Sequence, residues 1–303
     1  MNTPIKSKRS PKPLTVAKAL HLPVALREYQ REIEQLLIHV LQKNQAFLRT
    51  YPEHELTTEQ AEQFEQYRLA VLDGEPLAYV LGTQAFWTLN LKVTPDTLIP
   101  RPDTEIVVET ILALFPKNKL LHAIDLGTGT GAIALALAKE CPQWSMTATD
   151  FSRAALDVAR ENAKTHGLTR VRFLLGSWFE ALPDTKPGAQ SKGSLSWHES
   201  FDLIVSNPPY IAPDDVHLVH LRHEPISALV AEDHGLYDLK TIVVQSLGRL
   251  NEHGWLVLEH GYDQGQAVRD LMVYAGFNNI RTVQDYGGQD RVTLGRKAGK
   301  LVC

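Results

Sequence analysis

From residue 121 onward, short apolar runs alternate with helical patterns, and that alternation restricts the chain to one broad architecture. Residues 121–126 are a strand-like run containing Asp125, followed by the turn Gly127-Thr128-Gly129-Thr130-Gly131 and a small-residue helix over 132–140. A second strand over 145–149 closes at Asp150, and Ser152 caps a helix that reaches His166 and stops at Gly167. Further strands are expected at 171–175, 201–206, 255–258, 279–284 and 291–295, with helices over 236–250 and 264–274. Such a chain builds a doubly wound, seven-stranded, Rossmann-like α/β sheet. Its closing hairpin, turning through Gly287-Gly288-Gln289, makes the last strand antiparallel.

The N-terminal third has a different period. Residues 1–13 hold Lys6, Lys8, Arg9 and Lys12 with no apolar core behind them, and read as a disordered basic tail. Residues 24–44 repeat Ala25, Tyr29, Ile33, Leu36, Leu37, Val40 and Leu41 at helical spacing. A short helix over 44–50 follows, and Thr57 or Thr58 starts another, whose apolar side is Phe64, Tyr67, Leu69, Val71 and Leu72. Residues 14–77 are therefore expected to form a small helical bundle, whose residues singly read as simple packing and which as a whole reads as a substrate-recognition domain. Residues 78–97, with Gly82 and Asn90 as turn signals, are expected to form a hairpin linker to the sheet domain at 98–297. Residues 183–200, rich in Pro, Gly, Ser and Lys, read as a flexible insertion.

Bulk properties narrow the function classes. The net charge of −4 opposes a duplex nucleic-acid partner, which calls for a basic face. Cys141 and Cys303 are the only cysteines, which leaves no disulfide framework and no cysteine zinc site. No apolar run spans a membrane, so a cytoplasmic protein is expected.

The chemistry sits at the strand ends. Gly127, Gly129 and Gly131 let the backbone pass close to a ligand, but their spacing lacks the dinucleotide fingerprint and no Walker lysine follows. Asp150, at the second strand's end, is placed to accept the two hydroxyls of a ribose. A nucleoside without a pyrophosphate fits, and the ammonium and sulfonium of S-adenosylmethionine suit a rim that holds Asp125 and Asp150. Asp125 is alternatively a strand-end cap. After the strand over 201–206 comes Asn207-Pro208-Pro209-Tyr210. Asn207 and the Pro208 carbonyl offer acceptors for a planar NH2 group, Pro209 stiffens the turn, and Tyr210 offers a flat face to stack on. An amide nitrogen is a poor nucleophile, and two acceptors on its N–H groups draw its lone pair out of conjugation. Methyl transfer by in-line displacement then needs no histidine base. A tight turn is the plainer reading of the same four residues. Arg101, between Pro100 and Pro102, is either a rigid substrate cation or a brace of the domain junction.

These residues resemble the class I methyltransferases that act on planar amino groups of bases or glutamine. Residues 99–105 (Ile-Pro-Arg-Pro-Asp-Thr-Glu), 74–79 (Gly-Glu-Pro-Leu-Ala-Tyr), Leu258-Glu259-His260-Gly261 and Asp290-Arg291-Val292 narrow the resemblance to the release factor glutamine methyltransferases, the PrmC/HemK family, over residues 24–297. The resemblance implies N5-methylation of the glutamine in the Gly-Gly-Gln tip of bacterial class 1 release factors. It implies that Gly127, Thr128, Gly129, Thr130, Gly131, Asp150, Trp178 and Asn207 contact S-adenosylmethionine. It also implies that Asn207, Pro208, Pro209 and Tyr210 hold the glutamine. Peptide chain release factors are then the partners, with no membrane and no direct nucleic-acid contact expected. The alternatives are a glutamine methyltransferase of a ribosomal protein or an amino-methyltransferase of DNA or RNA bases.

Overall fold

The computed structural model describes residues 13–182 and 200–299; the basic tail and nearly all of the insertion lie outside them. The chain divides into two compact units at Gly82/Thr83.

The first unit is helical. Its helices are α1 (Val16–Leu20), α2 (Gln30–Leu41), α3 (Gln45–Thr50), α4 (Thr58–Leu72) and α5 (Leu77–Leu81). Ile33, Leu36, Leu37, Val40 and Leu41 of α2 are buried against Leu48, Phe64 and Val71. The helix expected over 24–44 opens instead as a 3-10 segment, Val24–Tyr29, after Pro23, and it closes at Gln42, whose left-handed backbone returns its N–H to His39 and Ile38. Thr57 caps α4 in a full capping box with Gln60, two otherwise orphaned donors being satisfied reciprocally. Leu69, expected on the apolar side, is 56% exposed. Residues expected to begin a linker form α5 instead. Gly82 is its left-handed cap rather than a hairpin turn.

The second unit opens with the hairpin of β1 (Thr83–Phe86) and β2 (Leu89–Lys92). It turns at Trp87-Thr88, while Asn90 lies inside β2 opposite Ala85. Next come α6 (Glu105–Leu114), β3 (His122–Leu126), α7 (Ala132–Glu140), β4 (Ser145–Asp150), α8 (Arg153–Thr165), β5 (Arg172–Leu175), β6 (Phe201–Ser206), α9 (Tyr237–Arg249), β7 (Leu250–Glu259), α10 (Gly265–Ala275), β8 (Phe277–Gln284) and β9 (Asp290–Lys297). The hairpin belongs to this unit: Asn162 of α8 accepts from Lys92 N at 2.7 Å and donates to Lys92 O at 3.1 Å. Thr104 stands at the N-cap of α6 but makes no side-chain cap bond. A 3-10 turn, Pro102–Thr104, leads into it without a side-chain cap.

The seven strands run in the order β5-β4-β3-β6-β7-β9-β8, and β9 is antiparallel to both neighbours. Gly287-Gly288-Gln289 makes the turn before β9, where Asp285 accepts from the Gly287 and Gln289 N–H groups. Central strands bury both faces, so alternate residues serve different layers. Ala123, Leu203, Val205 and Val257 join α6 and α7 in one core. Ile124, Leu126, Ile204, Leu256 and Leu258 join α9 and α10 in the other.

The order reverses between β3 and β6, the crevice where ligands bind in open α/β sheets. Leu126 pairs with Thr149 on one side and Ser206 on the other, so Gly127, Asp150 and Asn207 leave the sheet at one level. Ser206 Oγ, fully buried, donates to Leu126 O at 2.6 Å and ties the two strand ends together. Ser206→Ala is expected to cost about 1–3 kcal/mol, the range for losing a buried hydrogen-bond partner. Chemical denaturation reads this as a lower midpoint.

Candidate active site

A cavity of about 410 Å³ opens at this level, within the size range of small-molecule sites. Gly127, Gly129, Asp150, Trp178, Asn207 and Pro209 line it. The sequence reading named all six. Asp125, Thr128, Thr130, Gly131, Pro208 and Tyr210 stand outside the lining, most of them buried behind it.

The glycine turn follows from local geometry. Gly127, Gly129 and Gly131 have φ of +71°, +54° and +86°, in the left-handed region that disfavours side chains. A Cβ on Gly127 would also stand 3.1 Å from the Trp178 ring, and one on Gly131 would stand 3.0 Å from Leu135. The turn is pinned by Gly127 N and Thr128 N, both donating to Thr149 O at 2.9 Å.

Asp150 is 6% exposed, yet its carboxyl borders the cavity. Oδ2 accepts from Gly129 N and Oδ1 from Ser152 N, each at 2.9 Å, which leaves lone pairs on both oxygens. Burial raises its pKa against those backbone bonds. Asp125 sits one layer deeper. Its Oδ2 accepts from Thr128 Oγ1 at 2.6 Å and Ala134 N at 3.2 Å, while Oδ1 has no partner. Burial pushes its pKa up to about 7. These bonds are those of a cap joining the strand end, the turn and the start of α7. Thr130 O accepts from Asn162 at 2.9 Å, which links the turn to α8.

Trp178 holds its wall from a strained backbone, φ +45°, at the start of a 3-10 turn. Burial pushes up the pKa of the Asp238 carboxyl, and the Trp178 side chain opposes that rise. Asn207 donates from Nδ2 to Thr104 Oγ1 at 3.3 Å. The Tyr210 hydroxyl donates to Glu259 Oε1 at 3.4 Å, and burial pushes its pKa upward. Arg101 is not free in the crevice: its guanidinium pairs with the buried Glu224, whose other oxygen accepts from Ile99 N at 3.1 Å.

Sequence reasoning missed Asp96, Phe151, Ser177, Asp238 and the 225–228 segment. Phe151 and Ser177 adjoin residues that were named. Asp96 and 225–228 come from connections whose path nothing in the residue pattern fixes. Three carboxyls line the cavity, and among its described lining residues there is no lysine or arginine. This rim suits a cation and repels a phosphate. Among the described residues no cluster fits a metal ion, and no helix is long and apolar enough to cross a membrane.

The sheet order, the antiparallel β9, the glycine turn and the acidic cavity at the crevice define a methyltransferase of the seven-stranded type. Residues 117–270 match the description "Methyltransferase domain", and residues 21–82 match "PrmC N-terminal domain". A protein of Coxiella burnetii named release factor glutamine methyltransferase is 44% identical over 88% of this chain and 91% of its own length. Proteins of the same name from Escherichia coli and Vibrio cholerae are 43% and 47% identical, over 88% and 86% of this chain and 92% and 87% of theirs. Human METTL16, solved as its catalytic domain with an RNA hairpin, shares the fold at a TM-score of 0.54 and 15% identity, over 89% of this chain and 92% of that one. The chain belongs to the release factor glutamine methyltransferase family.

In the folded chain Asp125 titrates near 7 instead of the ordinary 3.8. A raised carboxyl pKa contributes stability that is complete below the unfolded value and is lost as pH rises through the folded one. Asp125→Asn keeps an acceptor and removes the charge. Its melting midpoint is expected to gain on wild type as pH climbs from about 4 to about 7, by several °C in all, and to hold that gain above. Calorimetry across this range checks the sign, and a gain independent of pH would contradict it.

Proposed function

We propose that the protein transfers the methyl group of S-adenosylmethionine to the side-chain amide nitrogen of the glutamine in the Gly-Gly-Gln tip of bacterial class 1 release factors. The observation that carries this reading is Asn207, standing in the wall of the acidic cavity at the end of β6, in a chain 43–47% identical to proteins named for that reaction. When bound, S-adenosylmethionine supplies an electrophilic methyl carbon on a sulfonium. The residues present fit it: Gly127 and Gly129 present bare backbone to the cavity, Asp150 has lone pairs left for ribose hydroxyls, and Asp96, Asp150 and Asp238 complement positive charge. Trp178 and Phe151 add apolar wall. Thr128, Thr130, Gly131 and Asp125 act behind the surface by holding the turn.

The remaining chemistry belongs to Asn207-Pro208-Pro209-Tyr210. The Asn207 side-chain oxygen and the Pro208 carbonyl accept the two N–H groups of the substrate amide. That localises its lone pair and aims it along the line of attack. Tyr210 packs beside the amide plane. After transfer the nitrogen is strongly acidic and loses its proton to water, so no side-chain base is required. Arg101 acts through Glu224, which holds the Ile99 backbone next to the lining residue Leu98. The helical unit supplies release-factor recognition, and a release-factor substrate places the reaction in the cytoplasm. The acidic lining and the net charge of −4 weigh against a nucleic-acid substrate.

Incubating the protein with S-adenosylmethionine and an unmethylated release factor should add one methyl mass to the factor, located at the Gly-Gly-Gln glutamine by fragmentation. Asn207→Ala should reduce the rate by roughly 100-fold or more, as for loss of one transition-state hydrogen-bond partner, while cofactor affinity stays within about an order of magnitude. An equally active variant would sink the assigned mechanism.

A further inference from the structure

Glu259, at the last position of β7, is 1% exposed, and its carboxyl has no ion pair within bonding distance among the described residues. The reading of the cavity gives it no task. Buried carboxyls are costly unless their oxygens are used, so its position calls for a reason. Three groups converge on it. The Tyr210 hydroxyl donates to Oε1 at 3.4 Å, and the Thr104 hydroxyl and Arg291 lie near enough to favour its charge. Burial outweighs these and lifts its pKa to about 7, with Asp103 adding to the rise; Oε2 has no partner. Arg291 itself is bonded to Asp285 at 3.0 Å and to the His260 carbonyl at 3.4 Å.

Thr104 is the link that matters. It is 4% exposed, and its oxygen accepts from Asn207 Nδ2 at 3.3 Å. A hydroxyl has a single proton. If that proton points to Glu259, only lone pairs remain for Asn207, and the Asn207 amide must turn its NH2 toward Thr104. Its carbonyl oxygen is then the end left for the cavity. An ionised carboxylate offers lone pairs and no proton, so it enforces this direction along the chain. Glu259 thereby reaches both ends of the four-residue segment, Asn207 through Thr104 and Tyr210 directly.

We propose that Thr104 and Glu259 are positioning residues: a buried hydrogen-bond relay that fixes which face of the Asn207 amide meets the substrate. The inference rests on the reading of Asn207 as the acceptor of a substrate N–H. It goes beyond that reading by naming the two residues that make Asn207 an acceptor. Without the relay the amide is free to flip and present its NH2, which repels the N–H of a glutamine amide instead of accepting it.

The test uses the full-length protein at about pH 8, above the Glu259 value, so that the carboxyl is ionised. Thr104→Val keeps the shape and deletes the hydroxyl, whereas Thr104→Ser keeps the hydroxyl. Thr104→Val should lower kcat on the release factor roughly tenfold or more, the kinetic equivalent of one lost hydrogen bond. Calorimetric affinity for S-adenosylmethionine should stay within about threefold, which also reports that the variant folds. Thr104→Ser should recover most of the rate. Glu259→Gln introduces an NH2 that can donate to Thr104 and reverse the relay, so it should lower kcat as well. Combined with Thr104→Val, it should add little to the loss that passes through Asn207. A readout free of substrate is the side-chain 15N–H2 pair of Asn207, assigned by its disappearance in Asn207→Asp. Its hydrogen-bonded proton should shift and lose exchange protection in Thr104→Val and remain in place in Thr104→Ser. Wild-type kcat in Thr104→Val, equal behaviour of the Val and Ser variants, or an unmoved Asn207 resonance would each overturn the relay. If wild type methylates no release factor while the resonance responds as expected, the substrate assignment fails and the relay stands.

Discussion

The parallel pairing of β3 with β4 on one side and β6 on the other is the constraint on which the site depends. Its register sets Leu126 beside Thr149 and Ser206. The next residues of the three strands, Gly127, Asp150 and Asn207, are therefore delivered to one level although they lie up to 80 positions apart. A slip of one residue in either pairing would turn alternate side chains to the opposite layer, moving Ile204 and Leu126 out of one core and Ala123 and Val205 out of the other. Two separate apolar layers therefore lock a polar geometry in which neither takes part.

The polar atoms above that frame are secured by short local bonds. Asp125 holds the glycine turn through Thr128 and the first turn of α7 through Ala134. Asp150 receives two backbone N–H groups and still borders the cavity. Burial raises both carboxyls, against the hydrogen bonds that favour their charge. Such preorganisation places the electrostatic work in the resting protein, before any substrate arrives. Asn207 is treated the same way from behind, through Thr104, and Tyr210 through Glu259.

Different parts of the sheet edge supply the walls of the cavity. The β3 and β4 ends, with Trp178 after β5, form one wall, and the β6 end with residues 225–228 forms another. The second wall comes from a later part of the chain, and Ser206 Oγ, bonded to Leu126 O, ties its strand end to the first.

The sequence determined the period and the punctuation. Apolar runs, the glycine-rich turn and the Pro-Pro pair are local facts, and they set the seven strands, the glycine turn and the positions of Asp150 and Asn207. Their failures were local as well. Gly82 caps a helix rather than turning a hairpin, because a left-handed residue serves both purposes equally. The 24–44 pattern could not distinguish a 3-10 entry from α-helix, since both present the same residues inward over one turn. Only the tertiary structure decided what meets across long separations. Glu224 pairs with Arg101, Asn162 binds the hairpin to α8, Asp96 and Asp238 complete the acidic lining, and Thr104 and Glu259 come to lie behind Asn207. No spacing in a linear chain records such partners, because they are brought together by strand order and register, which many residues fix jointly and none fixes alone.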